Sequence, residues 1–197
     1  MNHIIIIAHP KKDSFSHKVK AELEKEFINN QNVVKVRDLY EIDFKPVLTE
    51  GELKYNKGGN IYPDIAVEQS YIEWADELTF IYPLWWNAFP AILKGYIDRV
   101  FTNGFAFKIN ENGPEGLLKN KKVRLITTAG MKEKTLTESR IFEGLRITQE
   151  HGVFEFCGMD VLDHIYVTEV TSITKEQKEI ELNNLLTKIF SNKKEKV

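Results

Sequence analysis

A run of isoleucines near the start of the chain limits the fold more than any other sequence feature. The stretch HIIIIAH (residues 3–9) contains four consecutive β-branched residues and no alternation of apolar with polar ones. Such a run predicts a strand buried on both faces, which is typical of parallel sheets covered by helices. A helix is predicted next, over residues 16–29, with an apolar stripe formed by Phe15, Val19, Leu23 and Phe27.

Strands and helices continue to alternate along the chain. Further strands are predicted at residues 33–38, 77–83, 122–130 and 160–167. Further helices are predicted at about 65–74, from a first turn containing Pro90, within 138–151 and from Thr174, where Gln177 completes a capping-box pattern. This alternation predicts an α/β fold with a parallel sheet covered on both faces. Right-handed crossovers then bring the loops that follow the strands to one edge of the sheet, where such sheets bind ligands.

Two segments lack this pattern. Residues 40–63 show no sustained period and are predicted as a long surface excursion, whereas residues 103–116 alternate and contain turn residues, which predicts a protruding hairpin. Gly95 lies inside a predicted helix at a cost of about 1 kcal/mol relative to alanine, which indicates close packing against another backbone. We expect a single domain over residues 1–191 and a frayed tail over residues 192–197.

Composition narrows the class of protein. The 197 residues carry a formal net charge of −2, which gives no reason to expect nucleic acid or an anionic membrane as a partner. The longest early apolar run, Ile4–Ala8, is too short for a signal peptide or a membrane span, so we expect a cytoplasmic protein. One cysteine, Cys157, excludes an intrachain disulfide. No metal is expected, because no known ligand spacing is matched by His9, His17, Asp38 and Asp43.

The loop after the first strand has the features of an anion site. In AHPKKDSFS (residues 8–16), Ser14 and Ser16 enter a helix whose first N–H groups and positive dipole end attract a negative charge. The loop contains no glycine, so it is neither a P-loop nor a dinucleotide-binding fingerprint. A phosphate monoester is the guest that this loop suggests. Taken alone, the serines are more simply read as helix caps, and His9 as a structural histidine.

Two further loops reach the same predicted edge. In YPLWWNAFP (residues 82–90), Trp85 and Trp86 stand between prolines that stiffen the backbone, and two exposed indoles suggest a flat ligand. The alternative, that both indoles pack into the core or a subunit interface, has about equal weight. The loop TTAG (residues 127–130) offers hydroxyl and amide donors, although alone it reads as an ordinary turn. An anion site, an aromatic wall and polar donors together suggest a planar heteroaromatic phosphate such as FMN.

These motifs resemble those of a known family, the flavodoxin-like NAD(P)H:quinone oxidoreductases, which include DT-diaphorase, bacterial general-stress oxidoreductases and ancillary subunits of potassium-efflux systems. The resemblance rests on AHPKKDSFS, YPLWWNAFPAILKGYIDRVFTNGFAF, TTAG and FCGMDVL, and it extends to about Val167. It implies a doubly wound five-stranded parallel sheet of order 2-1-3-4-5 and a homodimer. It also implies bound FMN, with FAD the lesser option, and NAD(P)H as co-substrate.

The resemblance assigns roles to three groups of residues. The phosphate and ribityl side of the flavin would be contacted by His9, Ser14, Phe15, Ser16 and His17. The isoalloxazine ring would be carried by Pro83, Leu84, Trp85, Trp86 and Asn87, and its polar edge bound by Thr127, Thr128, Ala129 and Gly130. The hairpin would border the pocket of the other subunit, with Phe107 and Ile109 at the family's two substrate-facing positions.

The chain also departs from this family. Ser16 and Ala129 stand where asparagine and glycine are usual, and Ile109 replaces an aromatic residue. The segment MKEKTLTESRIFEG after TTAG lacks the tyrosine and histidine that DT-diaphorase has near its flavin. We therefore assign no catalytic acid–base residue, and nothing in the sequence places His151 in the site.

The sequence thus predicts an enzyme that passes a hydride from NAD(P)H through FMN to a quinone or similar flat electrophile by ping-pong kinetics. Three alternatives remain open at this stage. One is a one-electron flavodoxin-type carrier, against which the weak net charge and the first loop argue. The second is a regulatory partner of a potassium-efflux system. The third is a structural protein without flavin, whose indoles are buried.

Overall fold

The computed structural model describes residues 1–191, and the predicted frayed tail lies outside them. Five parallel strands form its central sheet, and two short strands form a separate hairpin. In chain order the strands are β1 (Asn2–Ile7), β2 (Val33–Asp38), β3 (Glu77–Pro83), β4 (Phe107–Asn110), β5 (Gly113–Gly116), β6 (Lys122–Thr128) and β7 (Asp160–Val167). The predicted hairpin is therefore confirmed as the antiparallel pair of β4 and β5.

Helices connect the strands of the sheet. They are α1 (Phe15–Asn29), α2 (Glu50–Lys57), α3 (Pro63–Trp74), α4 (Ala91–Val100), α5 (Glu133–Glu138), α6 (Ile141–Leu145), a π-helix (Arg146–Glu155) and α7 (Lys175–Ser191). The capping box predicted for the last helix is confirmed, because Thr174 and Gln177 exchange hydrogen bonds of 2.8 and 3.2 Å. Within residues 1–191, no helix has the length and apolar character needed to cross a bilayer.

The strands lie in the order β2-β1-β3-β6-β7. The predicted five-stranded parallel sheet is present, and its numbering differs from the expected 2-1-3-4-5 because the hairpin strands come between β3 and β6. Alternate isoleucines of β1 pack on opposite faces of the sheet. Ile4 and Ile6 join a core with α3, α4 and the π-helix, whereas Ile5 and Ile7 join a core with α1 and α7. All four are fully buried, which confirms the prediction of a strand covered on both sides.

Three sequence expectations need correction. Residues 40–63 are not an unstructured excursion, because they contain α2, which is stabilised by the capping box of Thr49 and Glu52 and by a buried ion pair between Glu52 and Arg99. Because α2 is mostly polar, its sequence lacks the regular helical spacing of apolar residues from which a helix is predicted. The segment 138–151 is not a simple helix, since α6 runs into the π-helix. Pro90 is the residue before α4 and not part of its first turn.

Gly95 in α4 packs directly against the chain at Pro46. A Cβ atom at this position would lie 2.1 Å from the carbonyl oxygen of Pro46 and 2.4 Å from its Cβ. The predicted close approach of another backbone is therefore confirmed. This contact packs the segment that follows β2 against α4, the helix that follows the loop of residues 82–90.

We predict that Gly95→Ala lowers the free energy of unfolding by about 2–3 kcal/mol, because the added methyl group overlaps backbone atoms that cannot move freely. Gly144→Ala is the matched control, since Gly144 also lies in a helix and a Cβ there meets nothing within 4 Å. The control should be stabilised by about 0.5–1 kcal/mol through helix propensity. Urea unfolding measures both free energies, and equal effects of the two substitutions would contradict the close packing of Gly95 against Pro46.

Candidate functional site

Three loops meet at the carboxyl edge of the sheet, as the sequence predicts. The N–H of Leu84 donates a 2.7 Å hydrogen bond to the carbonyl of Thr128, which joins the loops after β3 and β6. The hydroxyls of Ser16 and Thr128 lie 3.1 Å apart, which joins α1 to the loop after β6. The rings of His9 and Trp85 have centroids 6.2 Å apart, which joins the loops after β1 and β3.

The first loop ends in a polar cluster at the N-terminus of α1. Ser14 is the cap, and its Oγ accepts a hydrogen bond from the backbone N–H of His17 at 3.3 Å. The ring of His17 connects Ser14 to Asp38, with Nδ1 3.0 Å from the Ser14 hydroxyl and Nε2 3.0 Å from Asp38 Oδ2. The other carboxylate oxygen of Asp38 accepts the N–H groups of Tyr40 and Glu41. The cap is therefore held in place from the end of β2.

His9 faces this cluster and is kept neutral by its surroundings. Partial burial is the larger reason why the pKa of His9 lies below its ordinary value, and the nearby His17 ring adds to the effect. The backbone N–H of Lys11 donates to His9 Nδ1 at 3.1 Å, so the ring carries its proton on Nε2. Phe15 and Ser16 form the first turn of α1, and the Ser16 side chain is buried.

The second loop is a tight turn that displays the indoles. Trp85 and Ala88 form an antiparallel bridge around Trp86 and Asn87, whose φ angles are +52° and +54°. Two successive positive φ angles are typical of a type I′ turn. Trp86 is 99% exposed and Trp85 41%, so the alternative that both indoles are buried in the core is wrong. Pro83 at the start of the loop is buried, and Leu84 is half-buried.

In the third loop, residues 127–130, the groups that remain available to a ligand are mainly backbone atoms. The hydroxyls of Thr127 and Thr128 are buried and already bonded, to His164 at 3.0 Å and to Ser16 respectively. Ala129 is buried and donates its N–H to Val167 at 2.8 Å, whereas Gly130 is exposed. The sequence prediction treated both hydroxyls as free donors, and the structure assigns them to internal contacts.

A buried polar network behind the loops was missed in the sequence prediction. Its members are Tyr82, Thr127, Gln149, Glu150, His164 and Tyr166. The Tyr82 hydroxyl donates to Gln149 at 2.6 Å, and His164 lies between Thr127 and Glu150 at 3.0 and 2.9 Å. Burial lowers the pKa of His164 to about 3 and raises that of Glu150. Its members come from four separate segments of the chain and share no motif, so no sequence signal indicates that these segments meet.

The hairpin borders a separate cavity of about 770 Å³ between α2, α4 and the π-helix. Phe107 lines this cavity and packs against Phe156 with ring centroids 5.4 Å apart, whereas Ile109 is 71% exposed. Cys157 also lines the cavity, and burial raises the pKa of its thiol to about 11. Phe107 and Ile109 are therefore not joined to the three loops within one chain.

The geometry of the three loops suits a phosphorylated planar ligand. The first turn of α1 offers N–H groups to an anion, and Trp85 offers an aromatic face beside it. His151, which the sequence left unassigned, lies on the π-helix, where it pairs with Arg146 and Glu155 and belongs to none of the three loops.

Comparison with known proteins supports this description. A family described as having a flavodoxin-like fold matches residues 1–189. An uncharacterized NAD(P)H oxidoreductase of Haemophilus influenzae is 42% identical over 163 residues, which cover 81% of this chain and 80% of that protein. The structure of an NAD(P)H:quinone oxidoreductase from Methanothermobacter marburgensis superimposes with a TM-score of 0.85 at 28% identity, covering 93% of this chain and 94% of that one.

A more distant structure shares the fold. It is an FMN-dependent NADH-azoreductase from Bacillus anthracis, solved in complex with FMN. It superimposes with a TM-score of 0.75 at 19% identity and covers 97% of this chain and 98% of that one. At this identity the likeness concerns the arrangement of the strands and helices.

We predict that His164 makes stability depend on pH. Its folded pKa of about 3 lies below the ordinary value of 6.5, so under pH 6.5 the unfolded chain binds a proton that the folded chain does not. The free energy of unfolding should therefore decrease as the pH falls, by up to about 1.4 kcal/mol per unit for this group. The raised pKa of Glu150 acts in the opposite direction and reduces the effect at lower pH.

His164→Gln removes this titrating group and retains hydrogen-bonding atoms. When the pH is lowered from 6.5 to 5, the free energy of unfolding measured with urea should fall by about 1 kcal/mol more for the wild type than for the variant. Parallel stability curves for the two proteins would contradict the prediction.

Proposed function

This chain belongs to the flavodoxin-like family of NAD(P)H:quinone oxidoreductases, and we propose that it is a homodimeric FMN enzyme. In the proposed reaction, NAD(P)H transfers a hydride to the flavin, and a quinone or another flat electrophile then receives it. The observation that carries the proposal is the meeting of an anion-binding helix end, an exposed indole and the 129–130 backbone at one edge.

The residues at this edge fit FMN in chemical type. The N-terminus of α1, with Ser14 and the neutral His9, would hold the phosphate. Trp85 and the loop Pro83–Asn87 would contact the ring, and the backbone N–H of Gly130, next to the internally bonded Ala129, would hydrogen-bond its polar edge. The bound FMN of the Bacillus anthracis structure, which shares this fold, supports the cofactor. When bound, FMN supplies the group that accepts and donates the hydride.

The protein residues would mainly bind and orient the ring. The tight turn at Trp86 and Asn87, closed by the bridge between Trp85 and Ala88, fixes the backbone beside Trp85, so little conformational entropy would be lost on binding. The positive end of α1 would stabilise the phosphate, and the buried Pro83 anchors the loop to the end of β3. No side chain is assigned to proton transfer. FAD is the lesser alternative to FMN.

A second copy of the chain would complete the substrate pocket. Exposed apolar side chains lie on the hairpin and in its cavity: Ile109 belongs to β4, and Leu53 and Phe156 line the cavity. A cluster of this kind is typical of a surface that binds another protein. In the proposed dimer, Phe107 and Ile109 would face the flavin of the partner, which accounts for their separation from the loops of their own chain. The localisation that we propose is cytoplasmic.

We predict that the purified protein is yellow and loses its flavin absorbance when NADPH or NADH is added under nitrogen. Because both substrates would use one flavin face, double-reciprocal plots at several quinone concentrations should be parallel.

A one-electron carrier would keep its colour with NAD(P)H. A regulatory subunit of a potassium-efflux system would bleach but turn over far more slowly with quinones than with its membrane partner present. Intersecting lines would contradict the shared face.

We also predict that Trp85→Ala weakens FMN binding about tenfold, which corresponds to the ~1.4 kcal/mol expected for one aromatic contact. Trp74→Phe is the control, because Trp74 lies at the end of α3 beneath Lys35 and away from the three loops. Quenching of flavin fluorescence measures both affinities. An unchanged affinity for the Trp85 variant would exclude this indole from the ring site.

A further inference from the structure

We infer that His17 takes up one proton when the flavin phosphate binds, and that this proton frees the Ser14 hydroxyl to donate to the phosphate. The inference rests on the proposed FMN site. It concerns a residue for which the sequence indicated only a contact on the phosphate side. The evidence is the hydrogen-bonding arrangement of Ser14, His17 and Asp38.

Without a ligand, the proton positions in this cluster are determined by Asp38. Its carboxylate accepts hydrogen bonds at both oxygens, from His17 Nε2 at one and from the N–H groups of Tyr40 and Glu41 at the other. The ring proton of a neutral His17 therefore lies on Nε2, which leaves Nδ1 as an acceptor. The donor that Nδ1 meets, at 3.0 Å, is the hydroxyl of Ser14. That hydroxyl is consequently committed to the ring.

A phosphate cannot use Ser14 in this state. A phosphate dianion presents only acceptor oxygens, so it needs donors. Ser14 Oγ already accepts the His17 N–H at 3.3 Å and gives its only proton to the ring. If Nδ1 gains a proton from solvent, it becomes a donor to Ser14 Oγ, and the hydroxyl proton can turn toward the phosphate. Protonation of Nδ1 thus reverses the hydrogen bond between His17 and Ser14 and allows a new one from Ser14 to the phosphate.

The charges around the ring make this protonation depend on the ligand. The His17 ring lies between Asp38 of β2, whose Oδ2 is 3.0 Å from Nε2, and the N-terminus of α1, and the His9 ring has its centroid 6.2 Å away. Lys11, Lys12 and Asp13 extend from the same loop into solvent, and the next residue of α1, Lys18, is paired with Glu179 of α7. A bound phosphate would add two negative charges on the side opposite Asp38, which shifts the balance toward the charged ring.

Isothermal titration calorimetry of the flavin-free protein measures this uptake directly. At pH 7.5 the phosphate of FMN, whose second pKa is near 6, is already a dianion and takes up no proton itself. Titrations in two buffers of different ionisation enthalpy should give an uptake of more than half a proton per FMN. Riboflavin, which lacks the phosphate, should bind with almost no uptake.

Variants identify the group that is protonated. His17→Asn keeps a hydrogen-bonding side chain beside Ser14 that does not titrate, and it should abolish the uptake and weaken FMN binding at pH 7.5 several-fold. His151→Asn is the matched control, because His151 lies on the π-helix outside the three loops, and it should retain the uptake. If His17→Asn does not fold, the imidazole ¹⁵N resonances of the wild type serve instead, since Nδ1 of His17 should change to its protonated shift when FMN binds.

Several results would overturn the inference. These are an uptake near zero with FMN in the wild type, an equal uptake with riboflavin, or an uptake kept in His17→Asn. Failure of the proposed function gives a different result, because then neither FMN nor riboflavin would produce binding heat or fluorescence quenching. Binding without proton uptake would overturn only the role of His17.

Discussion

The burial of the central strands on both faces is the constraint on which the rest of the structure depends. Ile4–Ile7 are fully buried, with alternate side chains in two separate cores. Because both faces must be covered, each crossover is a helix, and the loops that follow the strands are brought to the same edge. The hydrogen bond between Leu84 and Thr128 and the contact between Ser16 and Thr128 are consequences of that parallel pairing.

The sequence predicted the central sheet well because its strands are short, apolar and bounded by clear helix signals. It failed for α2, which is held by the Glu52–Arg99 pair across 47 residues and not by an apolar stripe. It also failed for the π-helix, whose hydrogen-bonding pattern leaves no distinct period in 10 residues. Local patterns identify elements that are stabilised locally or by burial of one stripe, and they do not identify elements held by distant polar partners.

The predictions for the candidate site also succeeded for features that follow from local sequence patterns and failed for those that depend on distant residues. The meeting of the three loops followed from the position of each motif at a strand end, whereas the sequence left open whether Trp85 and Trp86 are exposed. The orientation of Thr127 did not follow, because its hydroxyl is bonded to His164 of the neighbouring strand. The cluster of Ser14, His17 and Asp38 was likewise hidden, since Asp38 reaches α1 only through the pairing of β2 with β1. Individual residues were thus placed correctly at the edge, whereas the atoms they expose depend on neighbours that only the fold brings close.

The burial of Cys157 has a consequence for an enzyme that would handle quinones. A quinone is a Michael acceptor, and it alkylates thiolates far faster than thiols. The only cysteine of the chain lines the cavity beside Phe107, yet its burial keeps it protonated at neutral pH. Under the proposed function, the protonated thiol of Cys157 would therefore react slowly with any quinone that reached this cavity.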